Sequence, residues 1–270
     1  MKQSNISSRQ QEYINNLRHQ KIIVSIARIM IFVIFMGIWE AAARSGLIND
    51  FIFSSPTRMA KCLAALTKDG SLFMRIGITL AETIISFLIT TICGIITAII
   101  LWSCKGLAKI VDVYLVILNS LPKTALAPVL IVWLGNNPRT IIVTAISVAV
   151  FGSIITLYTG FQSMDPDKIK LINTLGGKRR HVLTKVLLPG SVPLIINNMK
   201  VNIGLCLVGV IIGEFLAADK GLGYLIIYSS QVFKMDYVML SIFILCIIAM
   251  GLYQMINILE KKYGNKSSAS

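Results

Sequence analysis

The stretch from Phe161 to Pro189, FQSMDPDKIKLINTLGGKRRHVLTKVLLP, is the longest polar interruption in an otherwise apolar second half of the chain. Asp165-Pro166 is a helix start: an aspartate able to cap free backbone N–H groups, then a proline suited to the first turn. Ile169, Leu171, Ile172 and Leu175 form a short apolar face, and Gly176-Gly177 ends the helix by allowing a left-handed backbone. The spacing predicts a second helix that carries Lys178, Arg179, Arg180 and Lys185, runs to Leu188 and stops before Pro189. Two short helices about a Gly-Gly hinge, basic and partly apolar, make a docking element outside the membrane. The same residues also allow a solvated basic loop between membrane helices. A helix-turn-helix DNA reader is a third reading, but it lacks a soluble core to stand on.

Outward from this stretch, composition sets the solvent. Hydrophobic residues make up 55% of the 270 residues and charged residues 14%, with a mean hydropathy of +0.76, which excludes an ordinary soluble domain. The length suits a single membrane domain of about six helices at ~20 residues each plus loops. The net charge of +14 would suit nucleic acid, but the charges cluster between apolar runs. Membrane topology and anionic lipid headgroups account for that placement, so the bilayer is the expected partner and nucleic acid is not. Five scattered cysteines and two histidines offer no metal-ligand spacing, and neither a metal nor a cofactor is expected. A cleavable leader is not expected either, because the first apolar run follows a polar segment and lacks a clear small-residue cleavage site.

Residues 1–21 read as a polar tail, 22–259 as one transmembrane domain containing the loop 162–189, and 260–270 as a second tail. The expected spans are 22–43, 76–102, 110–134, 140–160, 194–217 and 237–259. A helix begun by Ser55-Pro56, with Met59, Leu63 and Leu66 on one face and Gly70 closing it, should lie at the membrane surface. Lys105 and Lys109 mark a turn before the third span, which Pro122 and Pro128 are expected to break, freeing carbonyls that need other partners. Gly209 and Gly213 form a G-x-x-x-G pair that lets a helix approach, a weak signal by itself. Lys and Arg number 15 in the proposed inner loops and tails against 8 in the outer loops. That bias places both termini and the loop 162–189 in the cytoplasm.

Several of these residues resemble one known family. Gly176, nine residues, then Val186-Leu187-Leu188-Pro189 is similar to the G-x9-I-x-L-P half of the cytoplasmic EAA loop of binding-protein-dependent ABC importer permeases. Where that family tends to have Glu-Ala-Ala, this chain has Lys170-Leu171-Ile172. Pro122 to Pro128, continuing to Trp133-Leu134-Gly135, resembles the P-x-x-A-x-x-P…W-x-G pattern of importers for nitrate, sulfonates and taurine. Gly221-Leu222-Gly223-Tyr224-Leu225 resembles the run that follows the fifth span there, and Ser55-Pro56-Thr57 the region before the surface helix.

The resemblance implies an all-α membrane protein of the type I, MetI-like permease fold in a bacterial inner membrane. It further implies a homodimer, two separate ATPase subunits inside and a substrate-binding protein outside. Transport would proceed by alternating access, of a small anionic solute or of a thiamine-precursor pyrimidine or riboflavin-like compound. Asp165, Lys170, Leu171, Asn173, Thr174, Gly176, Gly177 and Arg179 would then couple the permease to its ATPase.

Lys123, Lys200, Glu214 and Asp112 are ionisable groups in apolar spans, each costing about 2.5–3.5 kcal/mol at mid-membrane. In one reading Asn119, Pro122, Lys123, Lys200, Asn202 and Glu214 line a passage for a small anion. In the other they satisfy broken-helix carbonyls, satisfy one another or sit near headgroups. The chain has no Ser/His/Asp set, no HExxH and no phosphate-binding G-x-x-x-x-G-K-[ST], since position 172 is Ile. A transporter subunit whose energy comes from a partner is therefore expected, with a membrane-embedded enzyme or a structural scaffold as disfavoured alternatives.

Overall fold

A computed structural model describes residues 8–267, and no strand occurs among the described residues. The outermost ends of the two predicted tails, residues 1–7 and 268–270, lie outside the described residues. Among the described residues five helices are long and apolar enough to cross a bilayer: α1 (Ser8–Arg44), α4 (Ser71–Ser103), α7 (Pro138–Gln162), α11 (Val192–Ala217) and α13 (Met235–Ser267). Helices α5 (Lys105–Ser120) and α6 (Lys123–Leu134) are long and apolar enough only as a pair, bent by 94°, in the manner of a broken span or a re-entrant loop. Short helices α2 (Asp50–Phe53) and α3 (Pro56–Lys68) follow α1, and α12 (Leu222–Gln231) lies between α11 and α13. Ser55 caps α3 as its spacing predicts, its hydroxyl accepting from the Arg58 amide, and Met59 and Leu66 are buried while Leu63 is exposed.

Three expectations need correction. Lys105 opens α5 one residue after α4 ends, so no extended turn separates the second and third spans. The third span breaks once, at Ser120–Pro122. Pro128 sits within an unbroken α6, where its missing N–H forgoes only the bond to the Thr124 carbonyl. The second helix of the loop does not stop before Pro189. It starts as α9 (Arg179–Val182), widens into a π turn over Leu183–Leu187 and carries through Pro189 as α10 (Leu188–Gly190). The wider π turn makes room for a ring that would otherwise meet the preceding turn.

The bundle is centred on α4, α7 and α11, with α12 and α13 packed beside α11 and the α5–α6 pair beside α7. Without a hydrophobic drive between helices in lipid, close contact is what holds them. A Cβ added at Gly209 would stand 2.6 Å from the Ala145 Cα, and one at Gly213 would stand 2.9 Å from the Ile141 Cα. The α7–α11 seam is therefore backbone against backbone. A polar node crosses the same centre: Asn198 Nδ2 and Asn202 Nδ2 donate to Ser153 Oγ at 2.7 and 2.9 Å, all three residues buried.

At one end of the bundle, Arg58 of α3 joins Asp236 of α13 (2.9 Å) and Asp50 of α2 (2.8 Å), while Ser54 Oγ donates to Asp236 at 2.7 Å. The hydrogen bonds that the Arg58 guanidinium donates to Asp236 hold it above its ordinary pKa.

Candidate functional site

The loop between α7 and α11 has one fixed end and one free end. The free end is α8 (Pro166–Thr174), which buries none of its residues. Asp165 Oδ1 accepts from the Asp167 amide at 2.9 Å and Pro166 fills the first turn, so the helix has a defined start. At its other end the Gly177 amide donates to the Ile172 carbonyl (2.8 Å) and the Gly176 amide to the Asn173 carbonyl (3.0 Å). These are the paired bonds of a Schellman stop, with Gly176 at φ +78°. Gly177 is equally constrained, since a Cβ there would lie 2.6 Å from the Ile172 carbonyl oxygen.

Between those caps α8 presents Leu171 and Leu175, 59% and 75% exposed, together with Asn173, Thr174 and Lys170. Lys170 pairs with Asp167 at 3.3 Å on an exposed face, a contact of little energetic weight.

The fixed end is α9 and the π turn. Val182 and Leu187 are buried, and Leu187 packs with Ala98, Leu157 and Phe161 of the bundle. The Lys178 amide donates to His181 Nδ1 at 2.9 Å, closing the first turn of α9. Arg179 ties this end to α4: its Nη2 donates to the Trp102 carbonyl at 2.7 Å, and its guanidinium lies 5.3 Å from the centre of the Trp102 ring. These contacts tie α9, the segment that follows α8, to the C-terminal end of α4. Between α8, α9 and the α4–α5 junction lies a cavity of about 800 Å³, bordered by Lys105, Lys109, Arg179, Trp102 and Tyr158.

The residues expected to line a passage do not gather in one place. Asn119, Pro122 and Lys123 meet at the α5–α6 bend, where Lys123 Nζ donates to the Asn119 carbonyl at 2.8 Å and lies 3.4 Å from its Oδ1. The lysine thus satisfies a carbonyl freed by the bend. The other three are on α11 with separate partners. Lys200 is ion-paired with Glu260 and lies 5.8 Å from the Tyr253 ring centre; Asn202 bonds Ser153.

Glu214 is fully buried. It accepts from Thr79 Oγ1 at 2.7 Å and from the Gly223 amide, while Thr79 Oγ1 accepts from the Leu222 amide at 3.0 Å. The carboxylate thereby pins the start of α12 to α4. Glu82 lies beside it with Oε2 unpartnered.

Sequence reasoning missed Trp102, Ser153, Asn198 and Thr79. Only the last left a signal: Thr79, Thr83, Ser86 and Thr90 recur at helical spacing within an apolar span, and all four are buried. No group of three His, Cys, Asp or Glu able to hold a metal occurs among the described residues.

A family model, the binding-protein-dependent transport system inner membrane component, matches residues 90–263. The chain belongs to this family. It is an ABC transporter permease, a membrane subunit rather than an enzyme. The permease is 24% identical over 195 residues to the formylaminopyrimidine transport permease protein ThiX of Halalkalibacterium halodurans, covering 72% of this chain and 77% of the relative. It is 22% identical over 222 residues to the taurine transport system permease protein TauC of Escherichia coli K12, covering 80% of each. Its fold is similar to that of a chain in the inward-facing MetNI methionine ABC transporter, with a TM-score of 0.65 at 16% identity over 73% of this permease and 97% of that chain. The all-α, MetI-like architecture implied by the sequence resemblance is thus the one observed.

Proposed function

We propose that this permease imports a small anionic solute of the nitrate, sulfonate or taurine kind, driven by ATP hydrolysis in a separate subunit that docks on α8. The observation that carries the reading is α8 itself: a helix capped at both ends, with no buried side chain, with Leu171 exposed on it and Leu175 exposed at its end, and followed across Gly176-Gly177 by α9, which Arg179 ties to Trp102 of α4. Such a helix has no packing role within its own chain, and its apolar face suits a groove on a partner. Asp165, Gly176 and Gly177 shape it, Lys170, Leu171, Asn173 and Thr174 face the partner, and Arg179 transmits the movement. Two permease copies, two ATPase subunits inside and a substrate-binding protein outside complete the assembly, with both termini of each permease in the cytoplasm. A thiamine-precursor pyrimidine or riboflavin-like cargo is the second reading, favoured by the similarity to ThiX.

Two substitutions test the coupling. Gly176→Pro cannot adopt φ +78°, and Arg179→Glu loses both contacts to Trp102. Each is expected to lower transport-coupled ATP hydrolysis about tenfold or more in proteoliposomes while the permease still inserts and co-purifies as a folded protein. Normal coupled turnover in both variants would refute the docking role.

On the passage, Asn119, Pro122 and Lys123 are proposed to lie along it at the α5–α6 bend, with Lys200, Asn202 and Glu214 holding α11 in place beside it. Lys123→Ala is expected to reduce uptake of an anionic solute several-fold and, by orphaning the Asn119 carbonyl, to cost about 1 kcal/mol of stability. Unchanged uptake and unchanged ATPase stimulation would remove Lys123 from the path.

A further inference from the structure

The cavity beside α8 has chemistry that coupling does not use. Its mouth carries three cations, Lys105, Lys109 and Arg179, and no aspartate or glutamate lines it. Neither Lys105 nor Lys109 has an ion-pair partner among the described residues, and Arg179 spends its bonds on a carbonyl rather than a carboxylate. Lys105 is also the first residue of α5, a helix of 16 residues whose N-terminal amides have no side-chain cap. The helix dipole therefore adds to the same positive field. Behind the cations Leu101, Phe161, Ile169 and Val182 form an apolar part of the wall, with Gln162 and Asn173 beside it. Trp102 and Tyr158 stand at the boundary, the residue types that settle at the level of lipid headgroups.

We propose that this cavity is a site for an anionic phospholipid of the inner leaflet, its phosphate held by Lys105, Lys109 and Arg179 and its acyl chains laid against the apolar wall. The cations recognise a phosphate from any source; the apolar wall and the place of the cavity at the end of a membrane span favour the lipid over a free ion. The leaflet rests on the orientation given above, with α8 on the cytoplasmic side. A lipid seated there touches Trp102 and Arg179, the joint between α9 and α4, so membrane composition would act on that joint.

Tryptophan fluorescence tests the site without any ATPase, so its outcome does not depend on whether α8 couples. The chain has three tryptophans, and the Trp39→Phe/Trp133→Phe background leaves Trp102 alone. The full-length permease in neutral nanodiscs is titrated with phosphatidylglycerol or phosphatidylcholine carrying brominated acyl chains, which quench a nearby indole. Saturable quenching that favours phosphatidylglycerol about ten-fold or more is expected, since each basic side chain at a membrane surface is worth roughly a five-fold preference. Lys105→Gln with Lys109→Gln should abolish most of that preference and Lys105→Arg with Lys109→Arg should keep it.

Equal quenching by the two lipids in the unsubstituted cavity overturns the proposal, as does a preference retained by the glutamine pair. Loss of the preference on adding millimolar inorganic phosphate, but not the same ionic strength of chloride, reassigns the site to a soluble anion. If the glutamine pair instead weakens ATPase capture equally in neutral and anionic nanodiscs with lipid preference intact, the cavity is a protein interface and the lipid assignment falls.

Discussion

Replacing Gly209 with valine is expected to destabilise the permease by about 3 kcal/mol, at the upper end of the usual range for overpacking. The Cβ alone would stand 2.6 Å from the Ala145 Cα and 3.2 Å from its carbonyl oxygen. Neither is the end of a flexible side chain, so relief requires α7 and α11 to separate. Their separation would also stretch the bonds from Asn198 and Asn202 to Ser153, because all three residues bridge the same two helices. Gly204 is the internal control: it lies on the same helix with nothing within 4 Å of an added Cβ. Gly204→Ala should be neutral or raise stability by up to about 1 kcal/mol through reduced freedom of the unfolded chain. Thermal unfolding in detergent, followed by loss of the monodisperse species, should place the Gly209 variant well below the parent and the Gly204 variant level with it or above.

Glu214→Leu is expected to cost about 4 kcal/mol. The substitution leaves the Thr79 hydroxyl and the Gly223 amide without their acceptor in a buried site, and each orphaned donor costs about 1–3 kcal/mol. Glu214→Gln keeps one acceptor oxygen and should cost about half as much. Glu82→Gln should have the opposite sign or none, because Glu82 Oε2 has no partner to lose and the amide can donate toward Glu214. Hydrogen exchange adds a local reading: the amides of Leu222 and Gly223 should lose protection in the leucine variant while those in the N-terminal half of α11 keep theirs. Gly221 belongs to the same joint, at φ +101° with the Glu214 carboxyl 2.5 Å from any added Cβ. Only glycine fits there, which gives the Gly221-Leu222-Gly223 run a packing reason independent of any resemblance.

The spans were legible because hydropathy is a sum over about twenty residues and tolerates errors at any one. The caps of α8 were legible because Asp165-Pro166 and Gly176-Gly177 act locally, through bonds to neighbours two to five residues away. What could not be read was pairing at a distance. Gly209 and Gly213 carry no sign of which helix they admit, and Ala145 and Ile141 carry none that they are the surface admitted. Glu214 looked like a passage residue because charge in an apolar helix is costly; its partners lie more than a hundred residues away at Thr79 and just beyond its own helix at Gly223. Pro189 was misread for a different reason. Proline reports that an ordinary turn cannot continue, not that a wider one can take its place, and the π turn at Leu183–Leu187 is set by the burial of Leu187 against α4 and α7.

The first span stands apart from these specific joints. Among its described residues the apolar stretch buries none in the bundle, and it is attached where Thr57 donates to Glu40 and where Phe32 stacks 6.2 Å from Phe243. Where a surface meets only fluid hydrocarbon, one greasy side chain serves as well as another. Along Ile22–Ile38 the identity of each apolar letter other than Phe32 should therefore drift freely between species so long as the tally of apolar carbon is kept, whereas Trp39 to Arg44, beside the Thr57–Glu40 bonds, should not.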